Sequence, residues 1–352
     1  MNRLLVNAVG CLLLCGCAWT ESGDSDESPA ARPVAQLIAY TRHGANGDAE
    51  VWVARVDGRS GRRLADGTTP KISPDGRWVA FQGGREGVFE AGFYRDVMLI
   101  ATSGGQPRLL MPAADRPVWS PDSKRVAVLQ GLDGRRRALL SIDIETEQRT
   151  TIARGAIVDV DVSFSPRGDQ VAYTRGEVFG KVDVYVAATD GDGEHRLTTD
   201  EQSAYPVWGP REIAFARIVP YRGWGAHEIW LVRPDGSGRR LLTKTPPGLL
   251  GQGITGLIPV AWSADARVLV AALSNEFGGP PYAVDPATGA VRRIGDYGYR
   301  SWPDGLSRDG RFILVSQSGV NFDEQSVVEV IRRAGGSRRI IARRASGASW
   351  NR

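Results

Sequence analysis

The chain has 352 residues, of which 42% are hydrophobic, and this is enough apolar material for two average domains or for one large repeat array. The formal net charge of +4 is small for this length and argues against a dedicated nucleic-acid-binding protein. The 43 glycines favour a fold with many turns.

The first 17 residues have the pattern of a secretory leader. Arg3 supplies a short positive region, and residues 4–14 form an apolar run that is too short to span a bilayer and leads into LLCGC. This ending resembles the bacterial lipobox, which implies that Cys17 is lipidated and anchors the chain to a membrane of the cell envelope. A plain secretory signal is the alternative. Ala18, rather than Asp, resembles an outer-membrane sorting signal, should the host have two membranes.

Residues 18–34 are polar and acidic and bury too little apolar surface to order themselves, so we expect a flexible tether. The chain has three cysteines, Cys11, Cys15 and Cys17, and all of them precede this tether. The predicted folded domain, residues 35–352, therefore contains neither a disulfide nor a thiol nucleophile.

One hairpin motif recurs through the predicted domain. Examples are ISPDGRWVAF (72–81), WSPDSKRVAV (119–128), FSPRGDQVAY (164–173) and LSRDGRFILV (306–315). After each motif come a second apolar strand, a turn with Gly or Asp, and an arginine-rich strand; the segment that leads into the next motif supplies a fourth strand. Seven such periods of about 40–50 residues predict an all-β fold, a seven-bladed β-propeller of four-stranded antiparallel blades.

The two ends of the domain predict how the ring closes. The first period begins with LIAY and lacks a preceding turn motif, whereas the chain ends in GASWNR. Trp350-Asn351 aligns with Trp119-Ser120 and with Trp262-Ser263. We therefore expect the C-terminal strand to pair with the N-terminal blade as its missing innermost strand, so that neither edge stays open.

The repeats are similar to those of the TolB-like propellers, in which SPDG is followed by an apolar strand, and the similarity extends over residues 35–352. It implies the fold and says little about function. Two periods depart from the pattern: WGPREIAF (208–215) lacks Asp-Gly, and Ala264 replaces the proline. The named member of that family usually has six blades and an added α/β domain, so its partners are not expected here.

Alternating strand direction places the short polar turns on one face and the long connections on the other. We call the second one the long-loop face. Its loops carry exposed aromatic residues, the type that anchors partners, and we expect them to form a binding surface around blades five to seven. The candidate residues are Phe89, Phe93, Tyr94, Tyr221, Trp224, His227, Phe277, Tyr299 and Trp302, with Tyr297 and Phe322 in the same loops. The alternative is that these rings pack within their own loops.

Few residues point to metal or catalytic chemistry. Asp159 and Asp161 lie two apart on a predicted strand and are the one candidate calcium site; a salt bridge to Arg116 is the alternative, and we expect no cofactor. The calcium-like run TDGDGEH (189–195) aligns with turns of other periods and lacks the full ligand spacing. The sequence has no nucleophile elbow, phosphate loop or zinc-protease motif.

These observations favour a non-catalytic, lipid-anchored binding propeller of the cell envelope, outside the cytoplasm, that engages a protein or cell-wall partner through the long-loop face. We expect no nucleic-acid partner. The alternatives are an enzyme that processes a glycan or lactone with acidic residues in the channel, and a sensor or stalk domain without a small ligand.

Overall fold

The computed structural model describes residues 36–44, 48–89, 92–132, 136–177, 181–221, 224–250, 256–274, 278–298, 300–307, 309–319, 326–336 and 338–351, without the side chains of 85–89, 92–94, 158–161 and 224. The chain divides into two units, Met1–Pro33 and Val34–Arg352. The predicted leader with Cys17 and the whole of the predicted tether lie outside the described residues. In the described part, no helix has the length and apolar character needed to cross a membrane.

The described residues form strands almost throughout. The first fifteen are β1 (Leu37–His43), β2 (Ala49–Arg55), β3 (Arg62–Asp66), β4 (Thr68–Ile72), β5 (Trp78–Phe89), β6 (Gly92–Ala101), β7 (Arg108–Met111), β8 (Ala114–Trp119), β9 (Arg125–Gly131), β10 (Arg137–Asp143), β11 (Arg149–Gly155), β12 (Ile157–Phe164), β13 (Gln170–Gly176), β14 (Val182–Ala188) and β15 (His195–Arg196).

The remaining strands continue in the same way after residue 200. They are β16 (Ser203–Trp208), β17 (Ile213–Tyr221), β18 (Trp224–Val232), β19 (Arg240–Lys244), β20 (Gly256–Trp262), β21 (Leu269–Ser274), β22 (Pro281–Val284), β23 (Val291–Arg293), β24 (Ser301–Leu306), β25 (Phe312–Gln317), β26 (Val327–Arg332), β27 (Arg338–Arg343) and β28 (Ala345–Trp350). A single 3-10 turn, Pro247–Leu249, is the helical element among the described residues.

Strands that follow one another in the chain pair in antiparallel, four-stranded sheets. The sheets β4–β7, β8–β11, β12–β15 and β24–β27 have this order. Strands β16–β19 and β20–β23 form two further groups of four, which one parallel residue pair, His227 with Gly256, joins into an eight-stranded sheet. The all-β class and the four-stranded antiparallel sheets are as the repeat predicts.

The last strand of the chain pairs with the first. Strand β28 lies antiparallel to β1 in a sheet of order β28-β1-β2-β3, with Ile38 opposite Trp350 and Arg42 opposite Ala345. Beyond the strand, the Leu37 amide donates to Asn351 Oδ1 at 2.7 Å and the Asn351 amide donates to the Leu37 carbonyl at 3.2 Å. The sheet thus takes its fourth strand from the far end of the sequence.

Serine and aspartate side chains hold the recurring turns. In the first of them, Ser73 Oγ accepts the Trp78 amide at 2.9 Å, and Asp75 Oδ1 accepts the Ser73 hydroxyl and the Arg77 amide. The same bonds recur in the turn at residues 263–268, where alanines stand in place of Pro and Gly. The Ser and Asp side chains can therefore hold this turn in the absence of Pro and Gly.

The apolar core lies between sheets. Seven buried clusters each join two groups of four strands that are consecutive in the chain, and one of them joins β24–β27 to the group that contains β28 and β1. We call β4, β8, β12, β16, β20, β24 and β28 the leading strands, because each stands first in the order of its group. Each leading strand contacts the next, and β28 contacts both β24 and β4.

Tryptophan side chains at the ends of leading strands tie neighbouring sheets together. Trp119 Nε1 donates to the Lys71 carbonyl at 2.7 Å, Trp262 Nε1 to the Val207 carbonyl at 3.1 Å, and Trp350 Nε1 to the Gly305 carbonyl at 3.3 Å. Trp350 is 5% exposed, so its ring both fills the core and satisfies its own donor.

Trp350→Ala tests the contribution of β28. Loss of a buried indole together with its hydrogen bond should lower the free energy of unfolding by about 3–5 kcal/mol, as measured by urea denaturation. Ile340→Ala on β27 is the control, because Ile340 is 42% exposed and its loss should cost within about 0.5 kcal/mol. If the two variants lose equal free energy of unfolding, Trp350 on β28 contributes no more to stability than an exposed residue does.

Candidate functional site at the long-loop end of the leading strands

Strand direction determines which end of each leading strand lies on the long-loop face. The Ser-Asp turns follow the leading strands, so the opposite, N-terminal ends of these strands lie beside the long connections. Ser301 and Trp302 open β24 and therefore lie at this end, as do Ser203, Ala204 and Tyr205 at the start of β16.

Trp302 is the described aromatic candidate that lies open to solvent. Its side chain is 37% exposed. On its inner side it packs against Gly278 in the β21–β22 connection, where an added β-carbon would lie 3.2 Å from the ring and 2.8 Å from the Ser301 carbonyl. Gly278 also has a φ of +83°. Close packing against glycine fixes the ring while one surface remains accessible.

For the other candidate residues, the structure describes the whole residue, the backbone alone, or neither. Tyr221 closes β17 and is half-buried. Residues 277, 299 and 322 are outside the described residues. The backbones of the following residues lie in strands, but their side chains are outside the description: Phe89, Phe93, Tyr94, Trp224, Asp159 and Asp161.

Two residues that the sequence places in the surface loops are buried. His227 is 6% exposed, its ring meets that of Tyr205 edge-on at 5.8 Å, and burial lowers its pKa to about 4. Its Nδ1 has no hydrogen-bond partner among the described residues. Tyr297 is fully buried and donates to Glu329 at 3.2 Å, and burial raises its pKa. Neither ring is a surface anchor, because both are buried.

Three leading strands carry the same backbone distortion near the long-loop face. Thr69, Arg116 and Tyr205 have φ values of 49°, 54° and 59°, and each precedes a proline. A left-handed conformation costs a non-glycine residue of order 1 kcal/mol. The register with the second strand shifts at all three positions. The distortion therefore interrupts the ladder at equivalent positions of three sheets.

A carboxylate that sequence reasoning missed lies deeper on β24. Asp304 accepts a hydrogen bond from the Ser316 hydroxyl and lies near the charge of Lys71. Burial raises the pKa of Asp304 to about 6, although Ser316 and Lys71 act in the opposite direction. Lys71 is on β4 and Asp304 on β24, and both of these strands contact β28. No spacing in the sequence indicates this pair.

The histidines do not form a metal site. His195 is exposed and opens β15 directly after the predicted turn, in which Asp190 Oδ1 accepts the Asp192 amide at 3.1 Å. His43 contacts the Ser346 hydroxyl at 2.9 Å. Within the described ranges, no group of three or more His, Cys, Asp or Glu side chains is placed to hold a metal ion.

Arginines of several strands make ion pairs. One cluster joins Asp200 to Arg217 at 2.7 Å and to Arg239, and both guanidinium groups lie over the Trp230 ring. Burial acts to raise the pKa of Asp200, but hydrogen bonds from Ser203 and the two arginines outweigh it and lower the value to about 2. This cluster fixes side chains at the start of β16, where the Ser203 hydroxyl donates to Asp200 Oδ1 at 2.7 Å.

The sequence matches no protein-family model. Three solved structures are similar to this one: TolB from Acinetobacter baumannii (16% identity, TM-score 0.56, covering 90% of this chain and 82% of that one); an oligogalacturonate lyase in complex with manganese (16%, 0.58, 88% and 85%); and the β-propeller domain of the trilobed protease from Pyrococcus furiosus (15%, 0.60, 87% and 94%). At such identities the similarity shows the fold alone, which is a TolB-like β-propeller.

The raised pKa of Asp304 predicts a pH-dependent effect of Asp304→Asn. A carboxyl with a raised pKa stabilises the fold below its unfolded value near 4, and this stabilisation is lost as the pH rises through 6. Asparagine does not titrate, so the variant should gain about 1–3 kcal/mol relative to the parent between pH 4 and pH 8. Urea denaturation at several pH values measures this gain. A difference that stays constant with pH would contradict the assigned pKa.

Proposed function

We propose that this chain is a non-catalytic binding protein: a seven-bladed β-propeller, anchored through lipidated Cys17 in the cell envelope outside the cytoplasm, that engages a protein or cell-wall partner through its long-loop face. The partner is neither a nucleic acid nor, apart from the anchor itself, the membrane. The TolB-like fold agrees with such a role without requiring it.

The seven-bladed ring is supported by two sets of contacts. The seven leading strands touch in sequence, and β28 touches β24 on one side and β4 on the other. The seven buried clusters link the groups of strands in the same cyclic order. On this proposal the eight-stranded sheet is two blades that share the single bridge between His227 and Gly256.

The exposure of Trp302 is the observation that carries the binding proposal. The exposed large hydrophobic side chains among the described residues are Leu109, Leu241, Trp302 and Ile340. Three of them lie on fourth strands, at the outer edge of a propeller, whereas Trp302 is aromatic and lies on a leading strand. A rigid indole held open beside long loops is the kind of residue that carries binding energy in protein interfaces.

Asp304 favours a second candidate function, an enzyme that processes a glycan or lactone. A carboxyl with a pKa near 6 beside a lysine suits general acid or base catalysis near neutral pH. One similar structure is an oligogalacturonate lyase in complex with manganese. No metal-ligand group is present among the described residues of this chain, and a catalytic role for Asp304 would have to operate with Lys71 and Ser316.

Cys17→Ser tests the anchor. Cys11 also follows a glycine, but the apolar run before it is shorter, so Cys17 is the preferred lipidation site. Loss of its thiol should move the protein from the membrane fraction to the soluble fraction of lysed cells, as followed by immunoblot, and should abolish labelling with a radioactive fatty acid. Cys15→Ser is the matched control and should leave the protein in the membrane fraction. If Cys17→Ser stays with the membrane and keeps the label, the anchor proposal fails.

A photoreactive amino acid at position 302 tests the binding surface. Crosslinking in intact cells should yield a discrete adduct from position 302 and none from position 340, which is equally exposed but lies at the outer edge. The partner so identified should bind the purified chain, and Trp302→Ala should weaken this binding by at least tenfold while changing the free energy of unfolding by about 0.5 kcal/mol or less.

The same experiment separates the two candidate functions. Identical adducts from positions 302 and 340, or undiminished binding by Trp302→Ala, would contradict the binding proposal. Turnover of a polysaccharide or lactone that Asp304→Asn abolishes and Trp302→Ala preserves would favour the enzyme instead.

A further inference from the structure

A polar cleft lies on the opposite face from the proposed binding surface. It has a volume of about 350 Å³ and opens between the β8–β11 and β12–β15 sheets at their turn ends. Its lining includes Arg125, Ser141, Asp143, Thr150, Asp169 and Asp190. Neither the TolB-like fold nor the proposed function gives this cleft a role.

Strand alternation directs one wall of side chains into the cleft. Leu139, Ser141 and Asp143 lie on the same side of β10, since they are two residues apart. Leu139 packs in the core against Tyr173 of the neighbouring sheet. Ser141 and Asp143 continue this row beyond the core towards the turns, where the apolar contact between the two sheets ends and the cleft begins.

Two closely packed turns form the other wall of the cleft. A β-carbon on Gly191 would lie 2.5 Å from the Thr151 carbonyl, and one on Gly168 would lie 3.3 Å from the Pro121 ring. Both glycines have positive φ values, of 94° and 73°. The two turns of the β12–β15 sheet therefore press against the β8–β11 sheet on both sides of the cleft and hold Asp169 and Asp190 facing it.

The charges of the lining favour a cation. Asp143, Asp169 and Asp190 supply three negative charges among the lining residues, against the positive charge of Arg125. Asp169 is also paired with Arg167, outside the lining, at 3.2 Å, so the surroundings of the cleft keep a net negative charge. Asp143 Oδ1 accepts the amides of its own turn at 3.0 and 2.9 Å, and Asp190 Oδ1 accepts the Asp192 amide.

Ser141 provides an independent indication of a ligand. The residue is 3% exposed, and its Oγ has no hydrogen-bond partner among the described residues. A buried hydroxyl without a partner costs roughly 1–3 kcal/mol, so such groups are rare in folded proteins unless something else satisfies them. Ser141 lines the floor of the cleft, where a ligand that carries N–H groups would supply the missing bond.

We infer that this cleft binds an organic cation, a small molecule that carries a guanidinium or alkylammonium group. Such groups donate several hydrogen bonds and extend over a greater distance than a metal ion. One ligand can therefore contact carboxylates on opposite walls of the cleft. Within the described residues, the carboxylates are not grouped closely enough to chelate a metal ion. The cleft volume lies at the lower end of the range for small-molecule sites.

Isothermal titration of the full chain with agmatine tests this inference. Agmatine carries a guanidinium and an ammonium group, and it should bind at one site with an affinity that falls as salt is added. Butylurea, which is neutral, should not bind. Asp190→Asn should weaken agmatine binding by about tenfold, because a charge-assisted hydrogen bond becomes a neutral one while the turn bond to Asp192 is kept.

Asp235→Asn is the matched control. Asp235 Oδ1 accepts the Ser237 amide at 2.9 Å in the corresponding turn of the next sheet, but it does not line the cleft. This variant should bind agmatine as the parent does. Absence of agmatine binding at millimolar concentration, or equal weakening by Asp190→Asn and Asp235→Asn, would overturn the inference.

Ser141→Ala distinguishes a ligand contact from a structural role. Removal of the unpartnered hydroxyl should weaken agmatine binding at least threefold and should not lower the midpoint of thermal unfolding. Unchanged affinity in this variant would contradict the role of Ser141. Asp143→Asn gives an independent measurement at the opposite wall, and it should weaken binding as Asp190→Asn does.

Discussion

The pairing of β28 with β1 is the contact on which the rest of the architecture depends. An antiparallel sheet with an open edge presents unpaired amides and carbonyls, and here the last strand of the chain occupies the edge of the first sheet. The same strand places Trp350 in the core between two sheets and brings Lys71 of β4 near Asp304 of β24. The packing of Trp350 and the proximity of Lys71 to Asp304 therefore both depend on β28. Residues of β28 lie more than 300 positions along the chain from their partners in β1.

The turn face and the long-loop face of this architecture carry different features. The turn face is held by repeated Ser-Asp bonds and carries a small polar cleft, whereas the long-loop face carries the bulged ends of the leading strands and the exposed Trp302. Strain at Thr69, Arg116 and Tyr205 is tolerated because the core between sheets holds the strands on either side. A rigid scaffold with varied loops can therefore change its ligands without changing its core.

The sequence is sufficient to predict features that are local and repeated. The strands, their order and the turn positions follow from alternating apolar residues and from the Ser-Pro-Asp-Gly runs, because each repeat contains its own strand and turn signals. Burial of His227 and Tyr297 is not predictable in this way, since His227 lies on β18 against the Tyr205 ring and Tyr297 packs between two groups of strands. The neighbourhoods of Asp304 and of Ser141 were missed for the same reason: each is assembled from strands that only the tertiary structure brings together.

Amide hydrogen exchange of β1, followed by NMR in the full chain, tests the central pairing most directly. A strand with a partner on each side has its amides protected in both alternating sets, and the His43 amide in particular donates to the Arg344 carbonyl at 2.7 Å. We predict slow exchange at consecutive residues of β1, comparable to that of β9 inside its sheet. Rapid exchange at every second residue, the pattern of an open edge strand, would contradict the account.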